Sequence, residues 1–235
     1  MRCDFRVIGV KAEETYPALL ETHYAKRIPS ITHAFGLFDG ATPLGYVTYG
    51  TPSSAPLREG VAGKDNAEIV IELNRLVMLA DVENGPSHLV GRSLRMLPKP
   101  RIVVSYADCG QGHVGYVYQA CNFIYTGLSA KRTDWRIRGR EGLHGQSVAD
   151  ISKSAAGMGR GSRAEYMRER FGDDFYLEGR SRKHRYIYIV GSKSERARIS
   201  SKIRYPVCPY PKGESTRYAA NAPAATQPQL FGGNS

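Results

Sequence analysis

EIVIELNRLVML, residues 68–79, is the segment on which the fold turns. It is a long, largely β-branched run, which suits a buried central strand. Asn74 and Arg75 interrupt it. A polar pair inside an apolar strand needs partners: either a β-bulge at this point satisfies it, or the pair faces a bound ligand.

On the C-terminal side, Pro86 and Ser87 open a helix whose face is lined by Leu89, Val90, Ser93, Leu94 and Leu97 and which Pro98 closes. RIVVSY, residues 101–106, is an apolar strand. A short helix is expected over residues 113–120 and another strand over residues 123–127. On the N-terminal side, residues 51–65 are rich in Gly, Pro and Ser and read as a surface loop. Before it, residues 34–38 and 44–49 flank Asp39-Gly40, the turn chemistry of a hairpin. Residues 12–27 carry apolar positions at helical spacing, with Glu13 and Glu14 in the first turn, Lys26 and Arg27 in the last, and Pro29 beyond. MRCDFRVIGV, at the start, reads as a first strand and not as a secretory signal. Strands and helices that alternate after a hairpin imply an α/β fold with a mixed central sheet flanked by helices.

Residues 130–182 are basic, Gly-rich and weakly periodic, with a short helix expected over residues 164–171. They read as an insertion before the last strand, residues 185–190, which a basic helical stretch, residues 194–204, follows. Residues 1–213 are therefore expected to form one catalytic domain that includes the insertion, and residues 214–235, rich in Ala, Pro, Gln and Gly, a flexible tail.

With 235 residues the chain can bury a full core. No apolar run is long enough to span a membrane. Cys3, Cys109, Cys121 and Cys208 share no C-x-x-C spacing, which argues against a zinc ribbon or redox pair and fits a reducing cytoplasm. The formal charge of +11 points to a polyanionic partner.

Several residues could carry chemistry. His23-Tyr24 closes the first helix, where an imidazole can act as base or metal ligand and a tyrosine can position a donor; the plainer reading is an amphipathic helix end. Ser105 and Asp108 stand at a strand end, the usual place of ligand crevices in open α/β sheets. Asp108 could take a proton from a weak amine nucleophile, or simply cap the turn that follows. Cys109 and Cys121 read as packed thiols. Lys131, Arg132, Arg136, Arg138 and Arg140 surround Trp135, the only tryptophan, and Arg180, Arg182 and Lys183 add to the basic texture. Arginines pair with phosphates and an aromatic can stack on a base, so these residues are candidates for contact with double-stranded DNA; the plainer reading is a solvated loop.

The element order resembles the GNAT acyltransferase fold, in which a splayed central sheet holds an acyl donor. HVGYVYQACNFIYTG (residues 113–127) resembles its late segment, with Asn122-Phe123 where a Gly-Phe pair would stand. The turn ADVENGPSHLVG (residues 80–91) departs from the basic, glycine-rich turn that binds the diphosphate of coenzyme A in that fold. Acetyl-CoA and an aminoacyl (glycyl) tRNA are accordingly both candidate donors.

A closer resemblance is to the Mom family of DNA-modification proteins of Mu-like phages. THYAKRIPS (22–30), ELNRL (72–76), SYAD (105–108), GHVGYVYQACNFIYTG (112–127), KHRYIYIVG (183–191) and YPVCPYPKG (205–213) carry it. The resemblance implies a transferase that converts adenine in double-stranded DNA to N6-carbamoylmethyladenine, protecting phage DNA from restriction in the host bacterial cytoplasm. It makes His23, Tyr24, Ser105, Asp108 and Tyr118 the expected catalytic residues, with Tyr118 where many GNAT enzymes keep a tyrosine to protonate the leaving group. Asn74, Arg75, His113 and Asn122 are expected to hold the donor. Base flipping would bring the N6 amine into such a site. The alternatives are a GNAT-like transferase acting on tRNA or protein, and a non-catalytic basic DNA-binding protein on the same scaffold. Gln227-Pro228-Gln229-Leu230-Phe231 resembles peptides that dock on the bacterial sliding clamp, a further candidate partner.

Overall fold

Asn74 does form a bulge. In the computed structural model, which describes residues 5–23, 26–52, 54–143, 145–155 and 159–213, the central strand β4 (Val70–Met78) pairs antiparallel with β3 (Thr42–Gly50). The register shifts at one point: Thr48 opposes Arg75 and Tyr49 opposes Leu73, so Asn74 is the extra residue. Its side chain satisfies both needs of a polar bulge. Oδ1 accepts from Thr48 Oγ1 at 2.6 Å and Nδ2 donates to the Ser30 carbonyl at 2.8 Å.

The chain divides into two compact units, Met1–Leu128 with Lys183–Ser235, and Ser129–Arg182. The first holds, among the described residues, a seven-stranded sheet of order β1-β2-β3-β4-β5-β9-β6. Its other strands are β1 (Phe5–Gly9), β2 (His33–Asp39), β5 (Arg101–Asp108), β6 (Ile124–Leu128) and β9 (Lys183–Val190). Every neighbouring pair is antiparallel except β4 and β5, which are parallel. The expected mixed α/β sheet flanked by helices is the one observed.

Helices cover both faces. On one, α3 (Gly85–Met96) buries Leu89, Val90 and Leu94 against Ile71, Leu73 and Val103. Full burial of each such side chain stabilises the fold by about 1.5–3 kcal/mol. The short α4 (Tyr116–Ala120) packs on the same face through Val117 and Tyr118. On the other face α2 (Ala55–Ala62) and α7 (Lys193–Ser200) cover Val70, Ile102, Val104 and Ile187, while α1 (Ala12–Glu21) covers Tyr46 and Val77.

Three expectations are corrected here. The first helix ends at Glu21 and not at Arg27, because the N–H groups of Thr22 and His23 both turn back to the Ala18 carbonyl and Lys26 adopts a left-handed φ of 40°. The loop expected at residues 51–65 contains α2: Val61 and Ala62 are buried, and Gly63, at φ 86°, ends the helix. The short helix expected from residue 113 begins at Tyr116, after Gly115 at φ 84°, so His113 precedes it.

The second unit is more ordered than its composition suggests. It pairs β7 (Thr133–Ile137) with β8 (Phe175–Gly179) antiparallel and adds α5 (Gly145–Ile151) and α6 (Arg160–Phe171). Trp135, Ile137, Val148, Met167 and Phe175 form a core of its own. Among the described helices none is long and apolar enough to cross a membrane. The peptide Gln227–Phe231 lies outside the described residues.

Candidate functional site

The parallel ladder between β4 and β5 runs from Val70↔Ile102 to Leu73↔Ser105 and stops there, although both strands continue. Beyond it β4 stays paired only with β3 and β5 only with β9. The sheet therefore opens between two adjacent strands, and the bulge at Asn74 sits on one lip. Ser105 marks the point of parting. Its hydroxyl is buried and donates to the Leu73 carbonyl at 3.2 Å.

A polar cluster gathers at this opening. Strand alternation puts Glu72 in phase with Val70, and Asp108 in phase with Val104 and Tyr106, on the face that α2 and α7 cover. Lys183, opposite Asp108 in the β5–β9 ladder, pairs with it at 3.4 Å (Nζ to Oδ2). The other carboxylate oxygen of Asp108 accepts from the Gly110 N–H at 2.9 Å, so Asp108 also caps the turn that follows. His113 follows this turn, its N–H bonded to the Asp108 carbonyl at 3.1 Å.

Electrostatics couple these groups. Burial pushes the Glu72 carboxyl above its ordinary range, with Lys183 and Arg75 pulling the other way. His23 is only 9% exposed. Burial lowers its pKa to about 4, helped by the charges of Arg75 and His113. His113 is also lowered by desolvation, which Asp108 opposes. At neutral pH both imidazoles are thus uncharged and one half-buried carboxyl is unusually basic, between two fixed cations. Such an arrangement can accept a proton from a bound nucleophile.

The expected catalytic residues do not all share this environment. His23, Asp108, Arg75 and His113 are brought into one interacting group. Tyr24 lies outside the described residues. Ser105 is in phase with Val103 and Ala107, on the α3 face opposite Asp108. Tyr118 packs on that face too, its ring 5.3 Å from Tyr186 and 5.4 Å from Phe123. Around it Tyr186 donates to the Val114 carbonyl, and Gln119 Nε2 donates to the Tyr186 hydroxyl at 3.1 Å.

The expected donor ligands divide likewise. Arg75 belongs to the cluster, whereas both polar side-chain atoms of Asn74 are engaged within the protein. They tie the stretch after His23 to the sheet: a Cβ at Gly50 would stand 1.7 Å from the Ser30 oxygen, so only glycine permits this approach. Asn122 is exposed at φ 58° and forms the turn between α4 and β6.

Sequence reasoning passed over Glu72 and assigned Lys183 to DNA. In sequence Glu72 reads as part of a long β-branched strand. Its signal is a carboxylate within an apolar run, two residues before the bulge. Lys183 looked like part of a basic cluster, and only the register with Asp108 reveals its partner.

The expected DNA-contacting residues of the second unit are mostly engaged with that unit. Trp135 is 5% exposed, packed edge-on against Phe175 at 5.3 Å and covered by the Arg163 guanidinium at 5.8 Å, so it presents no face for stacking. Arg136 pairs with Glu178 at 2.6 Å, and Arg180 with Asp134 at 3.3 Å. Arg182 donates to the Ser129 carbonyl at 2.7 Å, and Arg140 lies 5.6 Å from the Phe171 ring centre. Lys131, Arg132 and Arg138 are exposed and form no ion pair among the described residues. Among the described residues no group of three or more His, Cys, Asp or Glu is arranged to hold a metal ion.

Solved structures similar to this chain include an N-acetyltransferase from Staphylococcus aureus Mu50, with TM-score 0.42 and 13% identity over 80% of this chain and 99% of that one. YncA from Salmonella typhimurium, solved with acetyl-CoA, has TM-score 0.44 and 9% identity over 81% of this chain and 96% of that one. In sequence the chain is similar to the methylcarbamoylase mom of Escherichia phage Mu, with 30% identity over 199 residues, 81% of this chain and 76% of that protein. A profile of the Mom protein family matches residues 4–212, and the chain belongs to that family.

Proposed function

We propose that this protein is a transferase that modifies adenine in double-stranded DNA at N6, giving N6-carbamoylmethyladenine and so protecting phage DNA from restriction in the host bacterial cytoplasm. The observation that carries the reading is the cluster of Glu72, Asp108, His23, His113 and Lys183 at the opening between β4 and β5, in a chain of the Mom family. The similarity to the methylcarbamoylase of phage Mu supports DNA as the substrate.

The adenine amino group is a poor nucleophile because its lone pair is delocalised into the ring. A base must take its proton as the new bond forms, and such help is worth about 10²–10⁴-fold in rate. Glu72 is the stronger candidate base, since burial holds its carboxyl above the ordinary range. Asp108 is occupied by Lys183 and Gly110, and serves better to orient Lys183 and His113. His23, neutral near pH 7, can relay the proton or accept a hydrogen bond. The adenine reaches the opening only if it leaves the base stack.

The donor brings the group to be transferred. Asp81 and Glu83 stand just before the first turn of α3, where the diphosphate of coenzyme A would sit in the usual GNAT arrangement. Two carboxylates there do not fit a diphosphate, which favours a glycyl-tRNA over acetyl-CoA. Docking of residues 227–231 on the sliding clamp would deliver the enzyme to newly made DNA.

Mass spectrometry of nucleosides from plasmid DNA, isolated from cells producing the protein, tests the reading. A modified adenine that disappears with Glu72→Gln is expected. Unmodified DNA alongside modified RNA or protein would replace this function with the tRNA or protein transferase. No modification anywhere would leave a DNA-binding protein.

A further inference from the structure

A basic stretch of the larger unit lies outside the polar cluster just described. Residues 193–204 carry Lys193, Arg196, Arg198, Lys202 and Arg204 against the single acid Glu195, and all five cations are exposed. Glu195 is engaged at the helix start, where it accepts from the Ser192 N–H at 2.7 Å. None of the five forms an ion pair among the described residues.

The last two line a cavity of about 460 Å³ with Lys64, and the acids Glu59 and Asp65 also face it. Its backbone is fixed. The Arg204 N–H donates to the Val61 carbonyl and the Lys202 N–H to the Ile199 carbonyl, both at 2.9 Å. The Arg204 guanidinium rests over Gly63, where a Cβ would meet it at 3.0 Å. Arg204 is thus held against the rim and not left to wave in solvent.

Among the described residues no aromatic side chain lines the cavity. The aromatic next in sequence, Tyr205, has its ring covered by Arg185 at 3.3 Å. Single-stranded nucleic acid is held by stacking bases on aromatic faces, whereas a duplex offers its phosphates and keeps its bases inside. Exposed cations on a rigid rim, with no stacking platform, suit a duplex backbone.

We propose that Lys64, Lys202 and Arg204 form a phosphate-binding surface for double-stranded DNA on the larger unit, independent of the basic residues of the smaller one. The proposal rests on duplex DNA being the substrate. Its readout is binding, so it fails separately from the chemistry.

The test is fluorescence anisotropy with a labelled DNA duplex over a range of salt concentrations, using the full chain and a Lys64→Ala/Lys202→Ala/Arg204→Ala variant. Affinity should fall, and the log–log salt slope should shrink by up to about 0.9 for each phosphate that is no longer neutralised. In the wild-type protein, acetic anhydride should label Lys64 and Lys202 several-fold more slowly when duplex is bound, a measurement that does not depend on the variant folding. Unchanged affinity and slope, or equal labelling with and without duplex, overturns the proposal. So does a loss confined to binding of single-stranded RNA or tRNA. Patch-dependent duplex binding by a protein that leaves adenine unmodified would uphold the surface and refute the proposed chemistry.

Discussion

Arg136 in the smaller unit and Lys202 in the larger are both cations of a strongly basic protein, yet they stand in different situations. Arg136 is bound to Glu178 and to the Leu143 carbonyl. Lys202 is exposed and has no ion pair among the described residues. The pattern extends to the units as wholes. Around β7 and β8, arginines answer acids across the ribbon and cover the rings of Trp135 and Phe171. A unit with so small a core uses its cations to hold itself together. The larger unit rests on an extensive apolar core, and on its surface Lys202 and Arg204 form no ion pair among the described residues. Basic composition alone therefore does not locate a nucleic-acid surface; the number of charges left without a partner does.

The largest expected effect falls in the larger unit. Glu72→Gln should reduce DNA modification by about 10²–10⁴-fold, and Asp108→Asn should also impair it. Stability should change little with Glu72→Gln, because burial already disfavours the charged carboxyl. Full activity in Glu72→Gln, measured on the same nucleoside digest, would remove this residue as the base.

In the smaller unit the corresponding loss should be structural. Trp135→Ala removes the largest side chain of its core and should cost about 3–5 kcal/mol. Hydrogen exchange should then accelerate within residues 129–182 while β4 and β5 stay protected. Weakened DNA binding with unchanged exchange would instead return Trp135 to the role of a stacking residue.

Acid should separate the units as well. His23 has its pKa lowered to about 4 from an ordinary 6.5. The unfolded chain therefore binds the proton more readily. The stabilisation is full above pH 6.5 and is lost as pH falls toward 4, amounting to about 3 kcal/mol. His33, His88, His113 and His184 are lowered too and act in the same direction. Urea titrations from pH 7 to pH 4 should show a steep fall that His23→Gln makes shallower. An unaltered slope in that variant would mean that His23 is not held neutral by its surroundings.

The smallest effects concern single cations of the smaller unit. Arg136→Ala should cost no more than about 1 kcal/mol, as expected of a partly exposed ion pair, and should leave the salt slope of DNA binding nearly unchanged. Lys131, Arg132 and Arg138 are the residues there with charge to offer, and replacing all three with Ala should reduce that slope if this unit touches DNA. The reverse ranking, with Arg136 dominating the slope, would show that its pair with Glu178 opens on binding.

By itself the sequence determined what depends on neighbours along the chain. The hairpin at Asp39-Gly40 follows from turn chemistry. The bulge at Asn74 follows from a polar interruption in an apolar strand, and helix α3 from its apolar spacing and its flanking prolines. Mixed α/β class and Mom-family motifs were legible for the same reason, since local patterns and short motifs survive in one dimension. The tertiary structure decided what depends on partners distant in sequence. Asp108 and Lys183 are 75 positions apart and meet only through the register of β5 with β9. Ser105 and Asp108, three positions apart, fall on opposite faces because side chains alternate along a strand. Glu72 became a candidate base once its burial beside Lys183 and Arg75 was fixed. Trp135 moved from the surface to a core because Val148, Met167 and Phe175, remote in sequence, close around it. Whether a charge is paired or a ring is covered is a property of packing, and packing between distant segments is set only when the chain has folded.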